Sequence, residues 1–515
     1  AKKKHRNNAE FGVSQTPIIK NKGKERAMLG FGILILFVVI IILDIIKKVD
    51  LTSKLLQIPF LLIFPHYIIL IQLCIRQNRA LPAVLPDTVW KFITFLLLNC
   101  IFFYYCIRLH FFPVRGIRES SLQAWILYGG RRILLSAVGG FILQALLYLL
   151  FLTGHLPVLD LSFISHNIPF LIIADAVFAA IFLWLLFMNG LLRILLGCYR
   201  LGIVKRIIIF LTLWIPFVQI YLIYYICKKA KEEYAQECCR FENASGRDGQ
   251  AYCATRYPLI LLHGIGFRDL NFFNYWGRIP KNLVKNGAIV YYGHQEAWGT
   301  IEDNAAYIKT KIEEILTFHQ CDRVNIIAHS KGGLDARYLI SALQMETKVA
   351  SLTTISTPHH GSELITILNK LPDKLYHRIS GMIDKTFQKA GDTHPDCYHS
   401  SKQLDPAYCE LFNCEYPDSP TVYYQSYASM MGRTWDDTLL GIPNLLMNLA
   451  GARNNDGLVT ELSAQWGDFR GTFRSKGKRG ISHGDMIDLK REDYKGFDVI
   501  EAYISIVHDL KEKGF

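Results

Sequence analysis

The chain has 515 residues and a formal net charge of +13, and this length is sufficient for more than one domain. Its basic residues are concentrated in an N-terminal tail and beside long apolar runs, which favours a membrane surface over nucleic acid as the partner. No zinc finger, RNP or helix-turn-helix pattern contradicts this reading. Composition divides the chain into an apolar half, 1–227, and a half of mixed polarity, 240–515, which is typical of a soluble globular domain.

The apolar half begins with a basic tail at 1–27, and we predict an all-α transmembrane domain at 28–227. It contains apolar runs near the ~20 residues that a helix needs to cross a bilayer. These runs predict about six transmembrane helices, at 28–46, 55–75, 89–112, 133–153, 168–197 and 203–227. Asp175 lies inside one of them, and a carboxylate at this depth indicates an internal polar site, with Arg193 as its expected partner.

Six crossings would place the basic tail and the C-terminal half on the same side of the membrane. The numbers of lysines and arginines in the loops on the two sides barely discriminate between the two orientations. The loop 154–167 contains no lysine or arginine, and such loops are preferentially located outside the cell. We expect a multi-pass protein of the cell membrane. The side of the C-terminal half stays open, with the extracytoplasmic side favoured.

Residues 228–254 are charged and contain glycine, and we predict a linker there. From 255 to 515 buried strands alternate with helices, which predicts an α/β fold with a mostly parallel sheet and helices on both of its faces. The predicted strands are 257–262, 287–292, 324–328, 351–356 and 422–427, and the predicted helices include 300–319 and 498–511.

The most informative stretch of this half is 326–333, with the sequence Ile-Ile-Ala-His-Ser-Lys-Gly-Gly. A strand, a sharp turn with Ser330 at its apex and a helix at 334–340 form the layout of a nucleophile elbow. The turn brings the strand and helix backbones together, so small side chains are needed two residues before and after the serine. Ala328 and Gly332 occupy these positions, and Ala328 departs from the usual G-x-S-x-G pattern.

A serine hydroxyl becomes a good nucleophile when a base takes its proton and a third group orients the base. Two later loops provide Asp456, between Asn and Gly, and His483, between Ser and Gly. Each residue alone is more simply a turn residue. In the order Ser330, Asp456, His483, which α/β-hydrolases use, they predict a catalytic triad.

The alkoxide that forms during ester hydrolysis needs backbone N–H donors, which form an oxyanion hole. The N–H of Lys331 follows the serine directly, and glycines around Ile265 would let that loop approach the ester. We therefore predict Ile265 and Lys331 as the two donors. His263 precedes the nucleophile and is expected to be a structural hydrogen-bonding residue, and the Lys331 side chain is expected to be solvated.

Five motifs together resemble the triacylglycerol lipases of bacteria, namely His263–Gly266, Ala328–Gly333, Ser356–Gly361, Asn455–Val459 and the loop around His483. The resemblance covers about 255–515. It implies an α/β-hydrolase fold, hydrolysis of acylglycerol esters and a mobile lid, which we place at about 362–420. It also implies Ser330 as nucleophile, Asp456 as acid and His483 as base.

The resemblance implies no required cofactor, although some relatives bind a structural calcium ion near the catalytic histidine. Asp485 stands where such a ligand would lie, with Asp436 or Asp437 as a second ligand. Alternatively, Asp485 is a surface carboxylate or a hydrogen-bond partner without a metal ion. Cys397, Cys409 and Cys414 lie in one predicted loop, and either one disulfide or free thiols would fit them.

These observations predict a membrane-anchored serine lipase or carboxylesterase whose partners are a lipid ester substrate and membrane lipids. Two alternatives use the same residues differently. One is an acyltransferase with the same triad, and the other is a membrane transporter or receptor whose hydrolase domain is regulatory.

Overall fold

The computed structural model describes residues 32–76, 87–114, 121–153, 167–247, 251–267 and 274–515, so the predicted basic tail at 1–27 lies outside the described residues. The chain divides into two compact units. The helical unit comprises Ala1–Cys198 and Arg206–Cys238, and the α/β unit comprises Tyr199–Lys205 and Cys239–Phe515. The boundary therefore lies at 238/239, within the segment that the sequence predicts as a linker.

The helical unit is built from long apolar helices. Their bounds are α1 Gly32–Ile45, α2 Lys54–Ile63, α3 Tyr67–Arg76, α4 Asp87–Phe111, α5 Leu122–Leu152, α6 Ile168–Gly197, α7 Gly202–Thr212 and α8 Val218–Gly246. Within the described residues, four stretches are long and apolar enough to cross a membrane: Leu55–Leu73, Thr88–Phe111, Leu122–Leu152 and Ile168–Gly197. The predicted helical domain is therefore present, and the number of about six crossings stays a prediction beside these four stretches.

Two of the predicted spans, 28–46 and 203–227, are not among these four stretches. In the first, the described part is α1 Gly32–Ile45, which at 1.5 Å per residue is about 21 Å long, less than the ~30 Å hydrocarbon core. In the second, the apolar run 203–227 is not one helix, because α7 ends at Thr212 and α8 begins at Val218. Pro216, which cannot donate a helical hydrogen bond, and Phe217, with a φ of 64°, lie between them.

The segment 228–254, predicted as a linker, is helical over most of its length, because α8 continues to Gly246. Its charged composition hides a buried stripe at intervals of three and four residues, the spacing of one helix face. The stripe consists of Leu222, Ile226, Ala230, Glu233 and Glu237. Two of the charged residues that make the segment resemble a solvated linker, Glu233 and Glu237, are thus buried.

The α/β unit is organised around a six-stranded sheet in the order β2-β1-β3-β4-β5-β6, and every neighbouring pair is parallel. The strands are β1 Leu259–Leu262, β2 Val290–Tyr292, β3 Val324–His329, β4 Val349–Ile355, β5 Tyr423–Ser429 and β6 Asp468–Phe473. The predicted mostly parallel α/β fold is confirmed. Strand β6 was not predicted, because this edge strand is polar and contains Gly471.

Helices cover both faces of this sheet, as predicted. Successive side chains of a strand point to opposite faces, and β1 shows the consequence. Leu259 and Leu261 join one core cluster and Ile260 and Leu262 join the other. The first cluster includes residues of α9 Ile279–Lys285 and α17 Val499–Glu512, and the second includes residues of α10 Ile301–His319 and α11 Gly332–Ser341.

Residues 363–415, within the predicted lid, form four helices: α12 Glu363–Leu368, α13 Asp373–Lys389, α14 Cys397–Lys402 and α15 Pro406–Glu415. A further helix, α16 Gly441–Leu449, follows β5. Cys397, Cys409 and Cys414 are all free thiols. The structure thus supports the free-thiol alternative and not the disulfide.

Candidate active site

Ser330 lies at the sharp turn between β3 and α11, and its backbone is in the left-handed region with a φ of 55°. A non-glycine residue rarely adopts this conformation, so the turn is strained, as a nucleophile elbow requires. The backbones around it are closely packed. A Cβ added at Gly332 would lie 2.5 Å from the carbonyl oxygen of His263 and 2.9 Å from that of Leu262. Ala328 is fully buried at the position two residues before the serine.

The loop after β1 approaches the serine side chain directly. A Cβ at Gly264 would lie 2.7 Å from the Cβ of Ser330 and 3.2 Å from its Oγ. The next residue, Ile265, lines the same cavity as Ser330. Among the described residues, no partner accepts a hydrogen bond from the backbone N–H of Ile265 or of Lys331. Both N–H groups are therefore available to a ligand beside the serine.

The structure brings together Asp456 and His483, which lie 27 residues apart in the chain. His483 Nδ1 is 2.9 Å from Oδ2 of Asp456, and the backbone N–H of His483 donates to the carbonyl oxygen of Asp456 at 2.9 Å. The ring of His329, the neighbour of Ser330, packs against the ring of His483 with centroids 4.4 Å apart. The imidazole is thus fixed on one side by the carboxylate and on the other by the residue before the serine.

Asp456 is buried, and both oxygens of its carboxylate accept hydrogen bonds from the protein. Its Oδ1 accepts hydrogen bonds from the N–H groups of Leu458 at 3.0 Å and Val459 at 2.9 Å, and its Oδ2 accepts one from the Ser429 hydroxyl at 3.1 Å. Burial raises the pKa of the carboxyl group, but His483 and these backbone donors outweigh it, so that the pKa of Asp456 lies below its usual value. The carboxylate is therefore ionised when the imidazole takes up a proton, and its negative charge can stabilise the imidazolium.

Ser330 opens into an apolar cavity of about 250 Å³. Its walls come from the oxyanion loop, from the loop that carries Asp456 and from three of the four helices of the predicted lid. They include Ile265, Trp298, Leu364, Ile365, Leu368, Ile379, Ile383, Leu404, Leu458 and Val459. A cavity with this lining fits a hydrocarbon chain.

Two basic residues near the serine have structural partners. His263 has both ring nitrogens within hydrogen-bond distance of carbonyl oxygens, those of Gly264 at 2.8 Å and Gln295 at 2.9 Å, which agrees with the structural role predicted for it. The prediction of a solvated Lys331 side chain was wrong. The side chain is buried and pairs with Asp335 at 2.6 Å. This ion pair stabilises the first turn of α11, which follows the nucleophile.

The carboxylates considered for calcium are occupied by other groups. Both oxygens of Asp485 contact the guanidinium of Arg479, at 2.6 and 3.1 Å. Asp437 pairs with Lys490 at 2.9 Å, and Asp436 accepts the N–H of Gly480 at 2.7 Å and pairs with Arg433. Within the described residues no cluster of acidic, histidine or cysteine side chains could hold a metal ion. The residues around Asp485 therefore do not fit a calcium ion, and we assign it no step in the reaction.

The internal polar site predicted in the helical unit exists, but with a different partner. The Asp175 carboxylate lies 2.6 Å from His66 Nδ1 and accepts the Tyr148 hydroxyl at 3.3 Å. Arg193, the predicted partner, instead donates to the side chain of Asn189 and the carbonyl oxygen of His110. His66 precedes a helix start in a run with two prolines, and nothing in the local sequence indicated that it would reach α6.

Three groups of residues near the triad were missed by the sequence analysis. The hydroxyls of Ser356 and Ser429 lie 2.9 Å apart, and they form a chain that ends on Asp456. Tyr275 bridges the Gly264 N–H at 3.0 Å and His329 Nδ1 at 2.7 Å. Arg479 and Lys490 bind the acidic residues described above. Most of these partners are distant in sequence, so no local pattern indicated them; the exception is Arg479 and Asp485, which lie six residues apart.

Comparisons with known proteins provide independent information about this chain. A family profile described as a PGAP1-like alpha/beta domain matches residues 295–400. Triacylglycerol lipase 2 of Saccharomyces cerevisiae is 32% identical over 268 residues, which are 48% of this chain and 77% of the yeast protein. A triacylglycerol lipase of Vibrio cholerae is 30% identical over 243 residues, which are 42% of this chain and 77% of that protein.

Among solved structures, the chain is similar to the mature form of the Bacillus licheniformis lipase BlEst2. The two are 20% identical with a TM-score of 0.36, and the similarity covers 49% of this chain and 92% of the other.

Proposed function

Because the chain belongs to the triacylglycerol lipase family and is a hydrolase acting on ester bonds, we propose that it hydrolyses acylglycerols or other lipid esters through an acyl-enzyme on Ser330. His483 takes the proton of the Ser330 hydroxyl as Oγ attacks the ester carbonyl, and Asp456 orients the imidazole and stabilises its charge. The N–H groups of Ile265 and Lys331 hold the alkoxide of the tetrahedral intermediate.

The reaction then proceeds in two balanced halves. The intermediate collapses with cleavage of the ester C–O bond, and His483 gives its proton to the departing alcohol. Water then attacks the acyl-enzyme while His483 takes one of its protons, and a second collapse returns that proton to Oγ and releases the fatty acid. Transfer to an added alcohol would use the same second half, so product analysis with and without alcohols distinguishes a lipase from an acyltransferase.

The observation that carries this proposal is the contact of 2.9 Å between Asp456 Oδ2 and His483 Nδ1, with His483 packed against the neighbour of a serine in the left-handed conformation. The cavity beside Ser330 supports a fatty acyl chain as the group transferred, because most of the residues that line it are aliphatic or aromatic. Burying each methylene of such a chain contributes about 0.8 kcal/mol to binding.

We further propose that the helical unit anchors the enzyme as a multi-pass membrane protein. The four helical stretches long and apolar enough to cross a bilayer support this anchoring. Lipid esters are located in membranes and at lipid interfaces, so an anchored enzyme and its substrate share a thin layer, which raises their effective concentrations.

Ser330→Ala tests the proposed chemistry. We expect the variant to lose ester hydrolysis and labelling by a fluorophosphonate probe, while the purified protein retains its thermal unfolding transition. Ser380→Ala is a matched control, because Ser380 lies in α13 and lines the same cavity. This control should retain both activities. Hydrolysis by the Ser330→Ala protein at the rate of the wild type would overturn the proposal.

A further inference from the structure

We propose that Arg479 and Lys490 are positioning residues for the catalytic histidine, and that they hold its loop by two ion pairs rather than by a bound metal ion. The proposal rests on the proposed function, because it assigns a role to the loop through His483. The two cations lie on either side of the histidine in the chain and bind carboxylates on two different loops.

The first ion pair lies within the histidine loop. Arg479 donates from both terminal nitrogens to the two oxygens of Asp485, a bidentate geometry that is stronger than a single contact. The same carboxylate accepts the Ser482 N–H at 2.9 Å and begins the short helix His483–Ile487 with a capping box. The guanidinium also stacks 3.6 Å from the ring centre of Tyr494. Arg479 therefore has one well-defined position, four residues before the helix that begins with His483.

The second ion pair joins this loop to the loop after β5. Lys490 binds Oδ2 of Asp437 at 2.9 Å, and the Ser482 hydroxyl donates to the same oxygen at 2.7 Å. The other oxygen of Asp437 accepts the N–H groups of Leu439 and Leu440 at 2.8 and 3.2 Å. Asp437 is thus fully bonded, and its tie to Ser482 acts on the residue immediately before His483.

Ser482 connects the two pairs, because its N–H binds Asp485 and its hydroxyl binds Asp437. Two backbone bonds reinforce the join: the Ile481 N–H donates to the carbonyl oxygen of Met430 at 2.7 Å, and the Gly480 N–H donates to Asp436 at 2.7 Å. The loop from 479 to 490 is consequently held at both ends. The imidazole of His483, which lies within this loop, is therefore fixed relative to the loop after β5.

A calcium ion would need six to eight oxygen ligands, and the oxygens of Asp437 and Asp485 are already filled by N–H, O–H and cationic donors. Arg479 and Lys490 supply two positive charges to the same two carboxylates, which is the charge that a calcium ion would supply. Removing one cation leaves a buried carboxylate with its hydrogen bonds but without its counter-charge, and this is unfavourable. We therefore expect the loop to shift when either cation is lost and to be indifferent to chelators.

Steady-state kinetics of four full-length variants test the proposal, with Ser330→Ala as the blank. Arg479→Ala and Lys490→Met should each lower kcat by about 10-fold or more, with KM within about twofold, as removal of groups that orient a catalytic ligand does. Arg479→Lys should recover part of the loss. The control is Lys478→Ala, an exposed basic residue of the same loop, which should match the wild type.

Millimolar guanidinium should restore kcat to Arg479→Ala and leave Arg479→Lys and Lys478→Ala unchanged, because a free guanidinium fits the site between Asp485 and Tyr494. A destabilised fold alone would give no such rescue. Wild-type activity should be the same with a chelator and with added calcium. The proposal would be overturned by a wild-type kcat in Arg479→Ala, or by inactivation of the wild type with a chelator that calcium reverses. A wild-type protein with no activity above the Ser330→Ala blank would instead overturn the proposed function.

Discussion

At the scale of single residues, the site depends on backbone groups that set the roles of side chains. Asp456 is the clearest case, because its two oxygens are not equivalent. Oδ1 is held by the N–H groups of Leu458 and Val459, which leaves Oδ2 to face His483 and the Ser429 hydroxyl. The carboxylate therefore has one orientation, and it imposes one tautomer on the imidazole: Nδ1 carries the proton and Nε2 is free to act as a base.

Asp456→Asn tests this arrangement with almost no change in shape. The amide oxygen should take the place of Oδ1, because two backbone N–H groups require an acceptor there. The amide NH₂ then faces Nδ1 of His483 and selects the tautomer with a protonated Nε2, which cannot accept the proton of Ser330. We expect kcat to fall by about 10⁴-fold, as in other triads, with KM nearly unchanged. Steady-state kinetics on a soluble ester measures this; a loss of less than tenfold would show that Asp456 does not set the tautomer.

The residues that could be predicted are those marked by local geometry. Ser330 needs small neighbours at fixed offsets, and Asp456 and His483 lie in glycine-containing loops in a recognisable order. Arg479 could not be predicted, because its basic neighbourhood at 476–479 reads as solvated surface and its role depends on Asp485 and Tyr494. The same holds for His66, which reaches Asp175 across 109 positions of the chain.

At the scale of elements, the helices of 363–415 form much of the wall of the cavity beside Ser330 and so determine which groups can reach the serine. Helix α13 contributes Ile379 and Ile383 to the cavity, while Met382, between them in sequence, is 61% exposed. One face of this helix thus lines the acyl site and the adjacent face points away from it. The family resemblance predicted a lid in this segment, whereas the contact of its helices with the cavity became apparent only in the fold.

Ile383→Trp should shorten the acyl chain that the enzyme prefers. The added ring would fill part of a cavity of about 250 Å³, and each methylene that no longer fits would cost about 1–3 kcal/mol of transition-state binding. We expect kcat/KM for long-chain esters to fall by at least about tenfold while that for acetyl or butyryl esters is retained. Profiling with p-nitrophenyl esters of graded chain length measures this.

Met382→Trp is the control for this prediction, because it places the same side chain on the exposed side of the same helix. Its chain-length profile should match that of the wild type. An unchanged profile in Ile383→Trp would show that the acyl chain does not enter the cavity beside Ser330.

At the scale of the whole molecule, the number of crossings decides the orientation. Six crossings would leave basic residues on both sides of the membrane, and the loop 154–167 without lysine or arginine slightly favours an extracytoplasmic catalytic half. If the four stretches each cross the membrane, one side would receive the segments 74–87 and 153–167, which contain no lysine or arginine except Arg76 and Arg79. The other side collects the basic tail together with Lys47, Lys48, Lys54, Arg115, Arg118, Arg200, Lys205 and Arg206.

Cytoplasmic loops carry the excess of lysine and arginine, so four crossings predict that the tail and the α/β unit both face the cytoplasm. We expect green fluorescent protein fused after Phe515 to fluoresce and alkaline phosphatase fused there to be inactive. Alkaline phosphatase inserted into 154–166, which lies outside the described residues, should be active. Active phosphatase at the C-terminus would mean an odd number of crossings. In that case α1, together with residues before Gly32, would have to cross as a fifth span, and Ser330 would face the lipids of the outer leaflet.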